Sequence, residues 1–271
     1  MNEAVQSEEM ILFEGETATA GSGTVVAEKT LAISVNGKQL VQAQCMPCEC
    51  EALSVGFLVA EGILRDRREL VGVSVDHKTM EADVTVDIPE ERLDQLEGKM
   101  KITSGCGRGV TIDNIEEVMD CGKPFNLAKM MSGEEVMRLG YEFNHHPGLY
   151  RETRCVHSAM LSDGKEFIYF AEDIGRHNAV DKVIGRAFLD DLNICELVLF
   201  CTGRFSFEMV AKAARVRIPI IISPAAATRE AILLARRFHM ALCGRVRKGS
   251  MRVYSCYWRI TEGAQEKADD G

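Results

Sequence analysis

Apolar and polar positions alternate in two short runs, TLAISV and KQLVQAQ, on either side of the dipeptide Asn36-Gly37. A period of two marks half-buried strands, and Asn-Gly tolerates the positive φ of a two-residue turn, so the pattern predicts a β-hairpin. The period then changes. In MPCECEALSVGFLVAEGIL, Leu53, Phe57, Ala60 and Leu64 recur at helical spacing and Pro47 suits a first helical position, which predicts a helix packed on the hairpin. LVGVSVD and MEADVTVDI alternate again as strands, and PEERLDQLEGK reads as a short polar helix.

The opening residues are polar and rich in Gly, Ser and Thr, so residues 1–23 are expected to be a mobile arm and residues 24–125 an α+β domain. A capping-box pair, Ser132 with Glu135, opens the helix GEEVMRLGYEF. Beyond NHHPGLYRET the organisation shifts: CVHSAML and KEFIYFAEDI form a hairpin across Asp163-Gly164, and RHNAVDKVIGRAFLD is a helix. CELVLFC, IPIIIS, MALCGRV and RVYSC then read as strands, with FSFEMVAKAARV and ATREAILLARRF as helices between them. This alternation makes residues 126–260 a layered α/β domain with helices on both faces of a mixed sheet, and leaves 261–271 as a frayed tail.

Length and charge narrow the function. A chain of 271 residues buries one large core or two modest ones, and two domains are the expectation. Thirty-two basic against 41 acidic residues give a net charge of -9, which argues against nucleic acid as a partner, so any anion site must be local. The N-terminus lacks a basic segment followed by an apolar one, and no later stretch is apolar for long enough to span a bilayer; the expectation is a soluble cytoplasmic protein with no membrane partner. In that setting the 10 cysteines are reduced, which leaves reactivity or metal binding open.

Four stretches carry candidate chemistry. EDIGRHNAVDKVIG sets Asp173, Arg176, His177, Asn178, Asp181 and Lys182 at a strand-to-helix junction, where first-turn amides and the helix dipole favour an anion. Arg176 suits a phosphate, and Asn178 or Asp181 a base or sugar. CTGRFSFE repeats the arrangement with Gly203, Arg204 and Ser206, and two such junctions in one sheet resemble the walls of a nucleotide pocket. CGRVRKGSMR concentrates Arg245, Arg247, Lys248 and Arg252 in an acidic chain, which favours a phosphate-bearing ligand over a plain turn. In KITSGCGRGV, Cys106 stands between two glycines, either tucked under a tight turn or presented as a reactive thiol.

Two metal-dependent alternatives are weaker. Cys45, Cys48 and Cys50 contain one C-x-x-C, which His157 or His145-His146 would have to complete for zinc, yet these cysteines begin a helix whose neighbours read as core. A nucleobase deaminase needs H-x-E followed by P-C-x-x-C, whereas this chain reads His157-Ser158-Ala159 and has no later P-C-x-x-C.

Together, QCMPCECEALSVGFLVAEGI, GCG, EDIGRHNAVDKVIG, TGRFSFEMVAKAA and GRVRKGSMRVYS resemble the FdhD family, the sulfurtransferase accessory proteins of formate dehydrogenase, over residues 24–260. The resemblance implies a small α+β N-terminal domain, a C-terminal three-layer α/β domain of the cytidine-deaminase-like kind without zinc, and a homodimer. It also implies a reaction: persulfide sulfur is taken from a cysteine desulfurase and delivered to the molybdenum or tungsten of a bis(molybdopterin guanine dinucleotide) cofactor, Mo-bis-MGD, which formate dehydrogenase needs. By the same resemblance Cys106 is the sulfur-carrying cysteine. Arg176, His177, Asn178, Asp181, Lys182, Gly203, Arg204, Arg245, Val246, Arg247, Lys248, Gly249 and Ser250 become contacts for cofactor guanine, ribose or phosphate. A carrier must present its thiolate to a donor, and a neighbouring Arg108 favours that form.

Two departures stand out. The family's loop usually reads C-G-x-C, whereas the second cysteine position here is Gly109, so a relay between neighbouring loop thiols is absent and transfer rests on a single persulfide. Cys121, in a turn-like DCGKP, is the other thiol that would serve as a partner. Many members carry two glycines where this chain has Cys155-Val156 before His157. The missing cysteine motivates a second reading, a chaperone that holds the cofactor without transferring sulfur.

Overall fold

The computed structural model describes residues 4–89, 92, 100–102, 110–112 and 124–262. The polar helix expected from Pro89 onward, the loop thiol Cys106, Cys121 and the tail beyond Glu262 lie outside the described residues.

The chain begins with strands β1 (Val5–Glu14), β2 (Thr17–Val26), β3 (Lys29–Val35) and β4 (Lys38–Cys45), followed by helix α1 (Cys50–Ala60). Strands β5 (Leu70–Asp76), β6 (Glu81–Val86), β7 (Met100–Ile102), β8 (Val110–Ile112) and β9 (Met131–Ser132) come next. After α2 (Gly133–His145) and α3 (Leu149–Thr153) come β10 (His157–Ser162), β11 (Phe167–Asp173) and α4 (Arg176–Leu189). The remainder runs β12 (Val198–Cys201), α5 (Phe207–Arg215), β13 (Ile220–Ile222), α6 (Arg229–Phe238), β14 (Ala241–Arg247), β15 (Ser250–Val253) and β16 (Ile260–Thr261). The mixed α/β class expected from the alternation is the class observed. None of the helices is long and apolar enough to cross a membrane among the described residues.

A single boundary near residue 125 is not how the chain divides. One compact unit gathers Met1–Asp113, Pro147–Ser158 and Ala171–Leu189, and the other takes Asn114–His146, Ala159–Phe170 and Asp190–Gly271. The cause lies in α4, which the sequence order placed in the second domain but which packs on α1 in the first unit. Two glycines make that crossing: a Cβ on Gly56 would come within 1.8 Å of the Asp181 carbonyl oxygen, and one on Gly185 within 1.9 Å of the Ala52 carbonyl oxygen. Only the bare backbone permits so close an approach.

In the first unit the sheet runs β4-β3-β6-β5, with β3 parallel to β6 and the other pairs antiparallel. Leu31, Ile33 and Val35 are buried on one face of β3, as alternation requires. The β3–β4 turn is the expected two-residue one, with Asn36 at φ 52° and Gly37 at φ 78°. α1 is buried along almost its whole circumference and starts at Cys50, three residues after the expected Pro47, because Glu49 precedes it in the left-handed conformation. Residues expected as part of a mobile arm form an antiparallel ribbon, from the Val5↔Val26 pair to the Glu14↔Thr17 pair. Its side chains are exposed on both faces, so its sequence has no apolar periodicity by which to announce it.

The second unit is built on a six-stranded sheet ordered β11-β10-β12-β13-β14-β15. β12 and β14 each pair parallel with β13, while β10 pairs antiparallel with β12 and β15 antiparallel with β14. Phe143 of α2 packs with Met160, Phe200, Ile222 and Cys243 in its core. α2 opens with the expected reciprocal cap between Ser132 and Glu135. Arg259 is buried and donates to the carbonyls of Phe125, Leu127, Lys129 and His239, which ties residues 125–129 to the unit.

Candidate functional site

The first unit carries the EDIGRHN junction between β11 and α4. Asp173, the last residue of β11, is fully buried, and its two carboxylate oxygens organise everything around it. One accepts from the Gly175 amide at 2.9 Å and Asn178 Nδ2 at 2.8 Å; the other accepts from the Met46 amide at 3.1 Å and Lys182 Nζ at 2.7 Å. Lys182 is also fully buried. Its other donors reach the Glu172 carbonyl at 3.1 Å and Cys48 Sγ at 3.6 Å. Burial works against its charge, but Asp173 and the neighbouring Cys48 and Cys45 together outweigh that, and the ammonium stays above the ordinary lysine range. The neighbouring Glu172 accepts from Ser158 Oγ and from the Leu149 and Tyr150 amides, fixing α3.

Three thiols adjoin this pair. Cys45 and Cys50 are buried and hydrogen-bonded to each other. That contact, with burial, pushes the Cys45 thiol well up, and the same contact holds Cys50 below its usual range. Cys48 is partly exposed, and burial holds its thiol above the ordinary range, with the Lys182 charge offsetting that only in part. Among the described residues no group of three or more His, Cys, Asp or Glu is placed to hold a metal ion.

The second unit carries the CTGRFS junction and the basic turn. The loops that leave the carboxyl ends of β12 and β13 meet the end of β14, the position at which open α/β sheets bind ligands. Backbone ties build the frame: Arg245 donates its amide to the Ala225 carbonyl at 2.8 Å, Phe205 to Ala226 at 3.0 Å, and Ser223 Oγ to the Gly203 carbonyl at 2.8 Å. Gly244 admits the β13 loop, since a Cβ there would lie 2.7 Å from the Ala225 oxygen. The result is a pocket of about 740 Å³ lined by Arg204, Pro224, Ala225, Ala226, Arg245, Arg247, Ser250, Met251 and Arg252. Four guanidinium groups and no carboxylate line it, so its chemistry is that of a site for a phosphorylated or otherwise anionic ligand with an apolar portion.

The sequence model of the FdhD/NarQ family matches residues 26–261, which takes in both junctions and the basic turn. The chain belongs to the FdhD/NarQ family. A curated relative from Listeria monocytogenes serovar 1/2a, named sulfur carrier protein FdhD, is 33% identical over 252 residues, covering 92% of this chain and 96% of its own length. The Bacillus subtilis protein of the same name is 33% identical over 240 residues, covering 88% and 90%. A solved structure described as a candidate formate dehydrogenase accessory protein from Desulfotalea psychrophila superposes with a TM-score of 0.76 at 22% identity, covering 95% of this chain and 100% of that one, and shares the fold.

The residues that the sequence resemblance made candidates for cofactor contact fall into two groups. Arg176, His177, Asn178, Asp181 and Lys182 belong to the first unit, and Gly203, Arg204 and Arg245 to Ser250 to the second. Within the first group, Lys182 and Asn178 are engaged internally: Asn178 Nδ2 donates to Asp173 and to the Gln44 carbonyl at 2.7 Å. Asp181 is buried where α4 crosses α1. Arg176 keeps a buried Nε with no partner among the described residues, and it stands near His157, whose pKa burial and then the Arg176 charge depress. Within the second group, Val246 is a core side chain, Arg247 donates to the Pro224 and Val246 carbonyls, and Lys248 and Gly249 are exposed in the turn. Pro224, Ala225, Ala226 and Met251 were not singled out from the sequence. The signal for the first three is their place directly after the strand IPIIIS, where a parallel strand delivers a loop to the pocket.

Proposed function

We propose that this chain is a sulfur carrier: it accepts persulfide sulfur from a cysteine desulfurase on Cys106 and transfers it to the molybdenum or tungsten of Mo-bis-MGD for formate dehydrogenase. The observation that carries the reading is the arginine-lined pocket at the carboxyl ends of β12, β13 and β14. A guanine dinucleotide offers what that donor set recognises, phosphates for Arg204, Arg245, Arg247 and Arg252 and a base and sugar for Ser250 and the apolar floor. The cofactor is here a substrate and brings the metal that receives the sulfur. The chain's own residues hold its anionic groups and supply the thiol. The relatives' name, sulfur carrier protein FdhD, supports the carrier role. The homodimer implied by the resemblance belongs to the same proposal.

The carrier reading is tested by incubating the protein with a cysteine desulfurase and cysteine, then locating the added sulfur by peptide mass spectrometry. Sulfur on Cys106 is the expected result, and its absence from every thiol of the chain overturns transfer. Gly109 in place of a second loop cysteine favours one other reading, a chaperone that holds the cofactor without moving sulfur. That reading keeps nucleotide binding while the mass spectrum shows no adduct.

A further inference from the structure

Between β4 and α1 three cysteines stand within one short segment, beside an ammonium that is buried and paired with Asp173. Neither the arginine pocket nor the loop thiol uses them. Cys45 and Cys50 are free thiols sealed from solvent, so neither meets a partner molecule. Cys48 is partly exposed, directly precedes the N-cap of α1, and places its sulfur 3.6 Å from Lys182 Nζ. The backbone around it is tightly set. Its amide closes onto the Met46 carbonyl at 2.7 Å, and the next residue, Glu49, holds φ 53°, a left-handed conformation that non-glycine residues rarely adopt.

An ammonium has three donors, and two of those on Lys182 are taken by Asp173 and the Glu172 carbonyl. The Cys48 sulfur is the acceptor for the third, and it accepts more strongly as an anion than as a neutral thiol. The N-terminus of the helix favours the same charge. A persulfide is a stronger acid than its parent thiol, so at neutral pH it supplies that anion more readily than Cys48 itself does.

We propose that Cys48 is a second sulfane-accepting thiol, at which the Lys182 ammonium holds the resulting persulfide anion. The proposal rests on the reading that this chain handles sulfane sulfur. In the step, the Cys48 thiolate attacks the terminal sulfur of a donor persulfide, R–S–SH. A new S–S bond forms at Cys48, the donor's S–S bond breaks, and its electron pair leaves with the donor sulfur as RS⁻, so atoms and electrons balance without an external oxidant or reductant.

The test uses the full chain as wild type, Cys106→Ser, and Cys106→Ser with Cys48→Ala. Each is exposed anaerobically to glutathione persulfide, alkylated and mapped by tandem mass spectrometry. The Cys106→Ser protein is expected to carry one added sulfur at Cys48, roughly tenfold above the exposed Cys155, which serves as the internal comparison, because the Lys182 ammonium holds the persulfide anion once it has formed there. The added Cys48→Ala change removes it. Sulfur on Cys106 of the wild type with none on Cys48 in any chain overturns this proposal and leaves the carrier reading standing. Equal labelling of Cys48 and Cys155 overturns it as well, since the site then confers nothing. Sulfur on Cys48 with none on Cys106 supports it and removes Cys106 from the carrier role instead.

Discussion

At EDIGRHN the last residues of β11, which fall in the first unit, pass into a helix through Gly175 and Arg176; at CTGRFS a strand of the second unit does so through Gly203, Arg204 and the capping Ser206. The two junctions read alike in sequence and do opposite things. In the first, Asp173 supplies the anion from within the chain: its oxygens take the amides of Met46 and Gly175, the Asn178 side chain and the Lys182 ammonium. In the second no carboxylate lines the opening, and Arg204, Arg245, Arg247 and Arg252 face a pocket of about 740 Å³. A strand-to-helix junction is closed when the chain provides its own counter-charge and open to a ligand when it does not.

The largest effect should come from breaking the closed junction. Lys182→Met leaves Asp173 charged and buried without its partner, and should cost about 3–5 kcal/mol of stability, read as a lower urea midpoint. Asp173→Asn combined with Lys182→Met should recover much of that loss. An unchanged midpoint for the single variant would mean that the pair does not close the junction. Next in size, Gly56→Ala or Gly185→Ala forces a Cβ into the facing backbone at the α1–α4 crossing and should destabilise by about 1–3 kcal/mol, at the upper end because backbone yields less than a side chain.

The open junction should respond in binding and not in folding. Arg247→Ala, at an exposed residue, should weaken the calorimetric affinity for GDP by about 1–3 kcal/mol while leaving the unfolding midpoint in place. The wild-type affinity should fall as salt is raised. Equal affinity for both proteins would move the ligand elsewhere.

The smallest expected effect concerns His157. Burial and the nearby Arg176 charge depress its pKa below the ordinary 6.5, so the unfolded chain binds the proton more readily than the folded one. Its contribution to stability is therefore present above pH 6.5 and is lost as pH falls through the lower folded value. Because the residue is only half-buried, the loss should be no more than about 1 kcal/mol. His157→Gln should flatten the fall in urea midpoint between neutral and mildly acidic pH.

Much of the local structure was legible, and for identifiable reasons. Asn36-Gly37 and the Ser132–Glu135 cap act over a few residues, so their chemistry is complete within the segment that contains them. The exposed β1–β2 ribbon was not legible, because a strand with both faces in solvent needs no alternation. The arginines of the pocket could be found by charge alone. The apolar floor at Pro224 to Ala226 could not, since three small residues after a strand carry no chemical signature until the loop is placed.

By itself the chain order settles most of the segments that become strands and helices, where the sharpest turns fall, and that a basic patch sits within an acidic protein; these follow from periodicity, turn chemistry and counting. Only the tertiary structure decides which unit owns α4, that Lys182 is spent on Asp173 while Arg204 is not, and that Cys48 faces an ammonium. The first and the last depend on contacts between residues more than a hundred positions apart, Gly56 with Asp181 and Cys48 with Lys182, and packing rather than local preference determines which polar groups are sealed in and which are left to meet a ligand.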